Sequence, residues 1–441
     1  MNENEFHIDQ ECIATLVSIV SPSFPDHETI EETNNSLKEM KELLKTLDIK
    51  FCEETHVQNK SKVEAATILG KGRLEEIARI ANKNDSTLLV FDFELSASQL
   101  RNIKELTGIP VVDRVHIILE IFAIHARTRE AKIQIEMARL QYILPRLSGF
   151  WSHLGRQRSA KGSIGGEGEQ QIELDRRLIR NRIEFYKNEL VQIEKSRKEQ
   201  QKRRRKKTIT AALVGYTNAG KSSIMNRLCK EDILEEDKLF ATLDSTFRLL
   251  SPNTRPPMLL IDTVGFISNL PNTLIKGFKT TLDSAQEADL LIIVCDVSDP
   301  NYKKQLQVTT EVLNELEIGK KEKIIIFNKK DKLKNSFEDK IAKRTHVNSF
   351  VVSSFDKEDM DNLRDWIINY FLEKQESYDL FVPYELGNIH SLVNSQTNIR
   401  VNKPHDHGIY YKVKSPKFLF EQLHELKDYL LSPEKSKELF G

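Results

Sequence analysis

No apolar run in the 441-residue chain approaches the roughly 18 to 20 residues that cross a bilayer, which excludes a helical membrane span. Cysteine is scarce and scattered. Cys12, Cys52, Cys229 and Cys295 form no CxxC pair and no compact secreted framework, so reduced thiols in a cytoplasm are expected. The opening residues MNENEFHIDQ lack the basic and apolar segments of an export signal, and export is not expected. Net charge is missing too: 66 basic residues balance 66 acidic ones, so the chain as a whole names no polyanionic partner. There is no internal repeat.

What is present is enough chain for two to four hydrophobic cores. Residues 12–113 alternate strand-like runs (IATLVSIV, STLLVFDF, IPVVD) with helical patterns over 28–47 and 96–106, the order of a small parallel α/β domain, placed at 1–125. Ile133, Met137, Leu140, Leu144 and Leu147 then recur at helical spacing, as do Ile179, Ile183, Tyr186, Leu190 and Ile193. Two long helices with matching seams should pair as a hairpin over 126–207. Its glycine-studded tip carries several cations. The run KSRKEQQKRRRKK at 195–207 has Glu199 as its only acid, and reads either as a phosphate-contacting stripe or as a solvated helix end. From 208 to 373 strands and helices alternate again (TITAALVG, PMLLID, LLIIVCDV, KIIIFN, SFVVSS), giving a doubly wound nucleotide-binding domain. A small α/β tail over 374–441 completes the expected architecture.

The string GYTNAGKS comprises Gly215, Tyr216, Thr217, Asn218, Ala219, Gly220, Lys221 and Ser222, with Ser223 next, and falls between a strand and a helix. That is where a phosphate-binding loop belongs: backbone N–H groups turn inward, Lys221 places charge on the β and γ oxygens, and the Ser222 hydroxyl can ligate Mg²⁺. Asp262, Thr263, Val264 and Gly265 (DTVG) end a later strand, with Asp262 expected on the metal side and the Gly265 N–H on the γ-phosphate. Asn328, Lys329 and Asp331 belong to NKKD, after KIIIF. A carboxylate at Asp331 accepts two hydrogen bonds from guanine's N1–H and exocyclic amine; adenine offers neither donor, and an unmatched polar group discriminates by about 10⁴ to 10⁵. Ser353 and Ser354 close the next strand, where a backbone N–H can reach the guanine O6. GTP and GDP are therefore the expected ligands, with GTP hydrolysis the expected reaction.

A threonine that reaches Mg²⁺ and senses the γ-phosphate is expected in LFATLDSTFR, beside Phe240 and Ala241. Thr242 is the first choice and Thr246 its competitor. Phe266 follows Gly265 where many switch GTPases place the glutamine that orients the attacking water. A phenylalanine cannot do this, so slow intrinsic hydrolysis, raised by a partner, is expected.

GYTNAGKS, FATLD and DTVGFI together resemble the Obg and HflX branch of translational GTPases. GKGRLEEI at 70–77, RTREAKIQIEMARLQYILPRLSG at 127–149 and EGEQQIELDRRLIRNRI at 167–183 narrow the resemblance to HflX. It covers residues 12 to 372, with a looser match beyond. The resemblance implies a ribosome-associated GTPase that binds the 50S subunit and its 23S rRNA and separates stalled or idle 70S ribosomes under stress; a monomer is expected. It also implies that the hairpin tip enters ribosomal RNA, and Arg146, Arg156, Arg158, Lys161, Arg176 and Arg177, with Phe150 and Trp151, supply phosphate contacts and stacking surfaces. The tip departs from the family's glycine-rich GTRGPGE string: here it reads SIGGEGE, without the arginine and proline, which leaves open a specialised variant acting on antibiotic-stalled ribosomes. Asn218 resembles the potassium ligand of cation-activated GTPases, or simply hydrogen-bonds its own loop. A GTP-gated RNA-binding factor in ribosome assembly, or in tRNA modification, is the competing reading.

Overall fold

The computed structural model describes residues 11–24, 27–147, 166–205, 208–229, 240, 245–251, 254–268, 284–333 and 349–432, and divides into two compact units. The first takes the chain to residue 193. Its centre is a parallel sheet in the order β2-β1-β3-β4, formed by β1 (Ile13–Val20), β2 (Lys50–Asn59), β3 (Leu88–Phe91) and β4 (Val111–Asp113). β1 and β3 are apolar and buried along almost their whole length, as parallel strands covered on both faces must be. The edge strand β2 is polar and half-exposed.

Helices α1 (Ile30–Thr46), α2 (Lys71–Lys83), α3 (Ala97–Thr107) and α4 (Arg114–His125) accompany the sheet. Thr29 and Ser96 close capping boxes with Glu32 and Gln99, which satisfies the first free N–H groups of α1 and α3. Gly108 stops α3 at φ 70°, a left-handed conformation that a side chain would resist.

The hairpin helices are α5 (Arg129–Ile143) and the 40-residue α6 (Gly166–Arg205). Ile133, Leu140, Leu147, Ile179 and Ile183 are buried, and Met137, Leu144, Tyr186, Leu190 and Ile193 half-buried, so the expected seams face inward. Arg129 pairs with Glu189, joining the start of α5 to the later part of α6.

The second unit holds a six-stranded sheet in the order β10-β9-β8-β5-β7-β6. Its strands are β5 (Ile209–Gly215), β6 (Thr246–Ser251), β7 (Met258–Asp262), β8 (Leu290–Asp296), β9 (Lys323–Asn328) and β10 (Ser349–Val351), and only β6 runs antiparallel. Helices α7 (Lys221–Cys229), α8 (Tyr302–Glu315) and α9 (Lys357–Glu373) complete the doubly wound domain. Ile224, Leu228, Leu363 and Ile367 share one core with Leu213, Leu260 and Ile326. β5 lies between β7 and β8, so the loop leaving its carboxyl end opens at a crevice of the sheet where ligands bind in this architecture.

The tail is an antiparallel sheet in the order β11-β13-β12, from β11 (Gln375–Pro383), β12 (Asn398–His405) and β13 (Gly408–Pro416). Its core gathers Leu380, Val382, Val393, Tyr411, Val413 and Phe420, with α10 (Gly387–Gln396), α11 (Lys417–Gln422) and α12 (His424–Lys427).

One expected RNA contact is corrected by the fold. Arg146 is buried, at 8% exposure, beneath the hairpin. Its guanidinium lies 3.7 Å over the Tyr142 ring, donates to the carbonyls of Tyr142 (2.9 Å) and Leu95 (2.7 Å), and stands 3.7 Å from the Asp113 carboxylate. Asp113 has no exposure; it accepts from the N–H groups of His116 and Leu95 and from the Tyr142 hydroxyl. Burial pushes the Asp113 carboxyl up, and Arg146 is the strongest opposing pull. Arg146 is thus a counter-ion that locks the base of α5 to β4, with no face left for phosphate. Arg146→Ala should lower stability by about 3 to 5 kcal/mol in denaturant unfolding, because it strands a buried carboxylate. Unchanged stability together with weaker RNA binding would return Arg146 to the RNA surface.

Candidate functional site: a nucleotide pocket at the carboxyl end of β5

The phosphate loop is shaped by close backbone approach. Gly215 lies at φ 150°, and a Cβ there would stand 2.2 Å from the Val294 carbonyl of β8. Gly220 lies at φ 91°, and a Cβ there would stand 2.2 Å from Asn328 Nδ2. Any side chain at either position would push the loop off its neighbours. The loop is also pinned to the DTVG segment: the Phe266 N–H donates to the Gly215 carbonyl (3.0 Å), and the Thr217 N–H donates to the Phe266 carbonyl (2.7 Å).

Lys221 opens α7 and is 6% exposed. Its ammonium donates to the carbonyls of Gly215 (3.1 Å) and Tyr216 (2.8 Å), curled over the loop it serves. Burial lowers its pKa to about 8, with Asp262 pulling it back up. The Ser222 hydroxyl donates to Asp262 Oδ2 at 2.7 Å. These two hard oxygens converge beside the lysine, a donor set that suits Mg²⁺ completed by phosphate oxygens; when bound, that ion neutralises charge on the transferring phosphoryl group. Ser223 is half-buried one residue on. Thr263 is fully buried and donates to the Leu213 carbonyl, so its role is to fix the strand end; Val264 packs beside it in the interior. A Cβ on Gly265 would lie 2.9 Å from Lys221 Nζ and from both Cα and Cγ2 of Thr217, so only glycine lets DTVG close on the phosphate loop.

The residues expected to recognise the base lie at the ends of β9 and β10. Asn328 has no exposure; its amide donates to the Ala219 carbonyl (3.0 Å) and its side-chain oxygen accepts from the Ser354 N–H (3.1 Å). Lys329 adopts φ 65° and donates to the Asn218 carbonyl (2.7 Å) while pairing with Asp296 (2.8 Å). Asp331 is exposed on the short turn Lys330–Lys332, where the Ser353 hydroxyl donates to it at 2.5 Å. The carboxylate that would read guanine is thus oriented before a base arrives.

Two carboxylates of this pocket escape the sequence motifs. Asp296 ends β8 and holds Lys329; Asp359 pairs with Lys330 (2.6 Å) and accepts from the Ser353 N–H (2.7 Å). The strand-end CDVSD signals the first, and nothing local signals the second.

Phe240 is corrected: it is 3% exposed at φ 58°, and its ring packs edge-on against Phe122, 4.6 Å between centroids. That ring is spent on packing and has no surface left for nucleotide. Thr246 begins β6 opposite Asp262, and its hydroxyl faces the Met225 sulfur at 3.8 Å. Arg177 is exposed on α6, and Arg176 lies 3.6 Å from Glu173. Ala241, Thr242, Phe150, Trp151, Arg156, Arg158 and Lys161 lie outside the described residues.

Lys221 makes the pocket pH-sensitive with a defined sign. Phosphate oxygens favour its charged form, whereas the empty site loses that proton near pH 8. Nucleotide affinity should therefore be flat below about pH 7.5 and fall above 8, by at most roughly tenfold per pH unit, with proton uptake on binding. Calorimetric titration of GDP in two buffers of different ionisation heat checks this, and an affinity unchanged up to pH 9 would contradict it.

Residues 34–123 match a family model described as GTP-binding GTPase N-terminal, residues 125–204 one described as GTP-binding GTPase Middle Region, and residues 210–329 one described as 50S ribosome-binding GTPase. GTPase HflX of Alkalihalophilus pseudofirmus is 39% identical over 377 residues, covering 85% of this chain and 87% of its own. GTPase HflX of Gluconacetobacter diazotrophicus is 37% identical over 410 residues, covering 84% and 88%. Among solved structures, a GTP-binding protein from Sulfolobus solfataricus in complex with GDP is 25% identical, covers 81% of this chain and 98% of its own, and has a TM-score of 0.42. With a pocket built for a guanine nucleotide and relatives that match along most of their length, this chain belongs to the HflX family of GTPases.

Proposed function

We propose that this GTPase binds the large ribosomal subunit through its helical hairpin and, in the GTP state, splits stalled or idle 70S ribosomes in the cytoplasm. Ser222, Asp262 and Thr242 would hold Mg²⁺. Hydrolysis is slow in isolation and is accelerated by the 50S subunit.

The observation that carries this reading is Phe266. It occupies the position of the water-orienting glutamine and is 2% exposed, its backbone bonded on both sides to the phosphate loop. A ring so held cannot swing out to present a polar group, so the missing catalytic element must come from elsewhere. The match of residues 210–329 to a 50S ribosome-binding GTPase model supports the ribosome as the source. Exposed Arg177 on α6, the basic run at 195–207 and the cation-rich tip supply charge for 23S rRNA. K⁺ is proposed as a second source: Asn218 is exposed at φ 55°, at the rim of the phosphate loop. The altered tip SIGGEGE keeps the drug-stalled ribosome as a second reading of the substrate.

Purified 50S subunits should raise single-turnover GTP hydrolysis on the order of 10³-fold or more, the scale of groups supplied in trans, while light scattering reports loss of 70S particles. Running the assay in KCl and NaCl at equal ionic strength separates the cation's share. Stimulation without splitting would favour a GTP-gated RNA-binding factor, and no response to 50S would remove the ribosome from the account.

A further inference from the structure

Thr217 stands in the phosphate loop with an unused polar atom. The residue is 7% exposed, and its hydroxyl has no hydrogen-bond partner, an unfavourable state for a buried hydroxyl. Its backbone N–H is already committed to the Phe266 carbonyl at 2.7 Å, so it is not among the loop amides open to phosphate. The side chain packs against the DTVG segment, beside Gly265. Its Cα and Cγ2 flank the Cα of Gly265 from the same side as Lys221 Nζ, each 2.9 Å from the position of an added Cβ. The Gly265 N–H and the Lys221 ammonium are the groups that address the γ-phosphate in this architecture. The hydroxyl branches from the same carbon as Cγ2, so it lies within a few ångströms of the atoms packed against Gly265.

We propose that the Thr217 hydroxyl donates a hydrogen bond to a γ-phosphoryl oxygen during hydrolysis, partly replacing the help that Phe266 cannot give. Water attacks the γ-phosphorus, the bond from phosphorus to the β–γ bridging oxygen breaks, GDP departs, and the water's protons leave with inorganic phosphate and solvent. The threonine keeps its own proton throughout. Its contribution is a fixed donor whose bond strengthens as charge spreads over the three γ oxygens. With GDP bound those oxygens are absent, so the hydroxyl contributes nothing to GDP affinity.

The test uses the full chain without ribosomes, so its outcome is independent of the ribosome reading. Thr217→Val removes the hydroxyl at nearly constant volume, and Thr217→Ser retains it. Thr217→Val should lower single-turnover hydrolysis about 100-fold, the scale for loss of one preorganised donor, and lose affinity for GDP plus aluminium fluoride in parallel. Its affinity for GDP alone should stay within about threefold, and Thr217→Ser should restore both the rate and the aluminium fluoride complex. Hydrolysis by Thr217→Val near the parent rate would overturn the proposal. So would a loss of GDP affinity equal to the loss of rate, which would mark a structural role, or a serine variant as impaired as the valine. Should the valine variant fail to fold, Thr217→Ala against Thr217→Ser makes the same comparison.

Discussion

The nucleotide pocket depends on one buried amide. Asn328, without exposure at the end of β9, reaches across to the phosphate loop through the Ala219 carbonyl and receives the Ser354 N–H from the loop after β10. Two segments far apart in sequence, one for phosphate and one for base, are thereby held at a fixed separation. The contact is tight enough that Gly220 has no room for a Cβ beside the amide nitrogen. A side chain with both a donor and an acceptor is required. Removing it would leave a carbonyl and an N–H buried without partners, each at a cost of about 1 to 3 kcal/mol. Lys329 adds a second strap from the same turn, bound to the Asn218 carbonyl and to Asp296.

Within that frame the groups meant for ligand bond one another. Lys221 curls onto carbonyls of its own loop, Ser222 donates to Asp262, and Ser353 donates to Asp331. The pocket is organised in advance, so little ordering cost falls on nucleotide binding. The same economy does not extend to hydrolysis. Phe266 is sealed in the interior one residue after Gly265, and the DTVG segment offers a γ-phosphate sensor without a water-orienting side chain. Slow turnover in isolation, as proposed above, is what a switch requires if its timing is to be set by a partner.

Most of the G domain was legible because its chemistry demands particular residue types immediately after particular strands. GYTNAGKS, DTVG and NKKD could be placed on β5, β7 and β9 before any coordinates, and Phe266 could be recognised by what it lacks. What escaped notice was set by contacts across long stretches of sequence. Arg146 resembles any cation near a basic tip until Asp113, on a different element, is seen to claim it. Phe240 reads as part of a switch motif until its ring is found against Phe122. The edge strand β2 and the tail strands β11 and β12 mix polar and apolar residues without a strong run, so periodicity alone did not reveal them, whereas GIYYKV, the start of β13, does read as a strand.

Pre-assembly of the pocket by Asn328 is most directly tested by the GDP affinity of Asn328→Ala, with amide exchange followed across the phosphate loop. Affinity should fall about 100-fold or more, and residues 215–222 should exchange faster in the empty protein, because the two segments lose their link. GDP affinity within about threefold of the parent, with unchanged exchange in the loop, would contradict it.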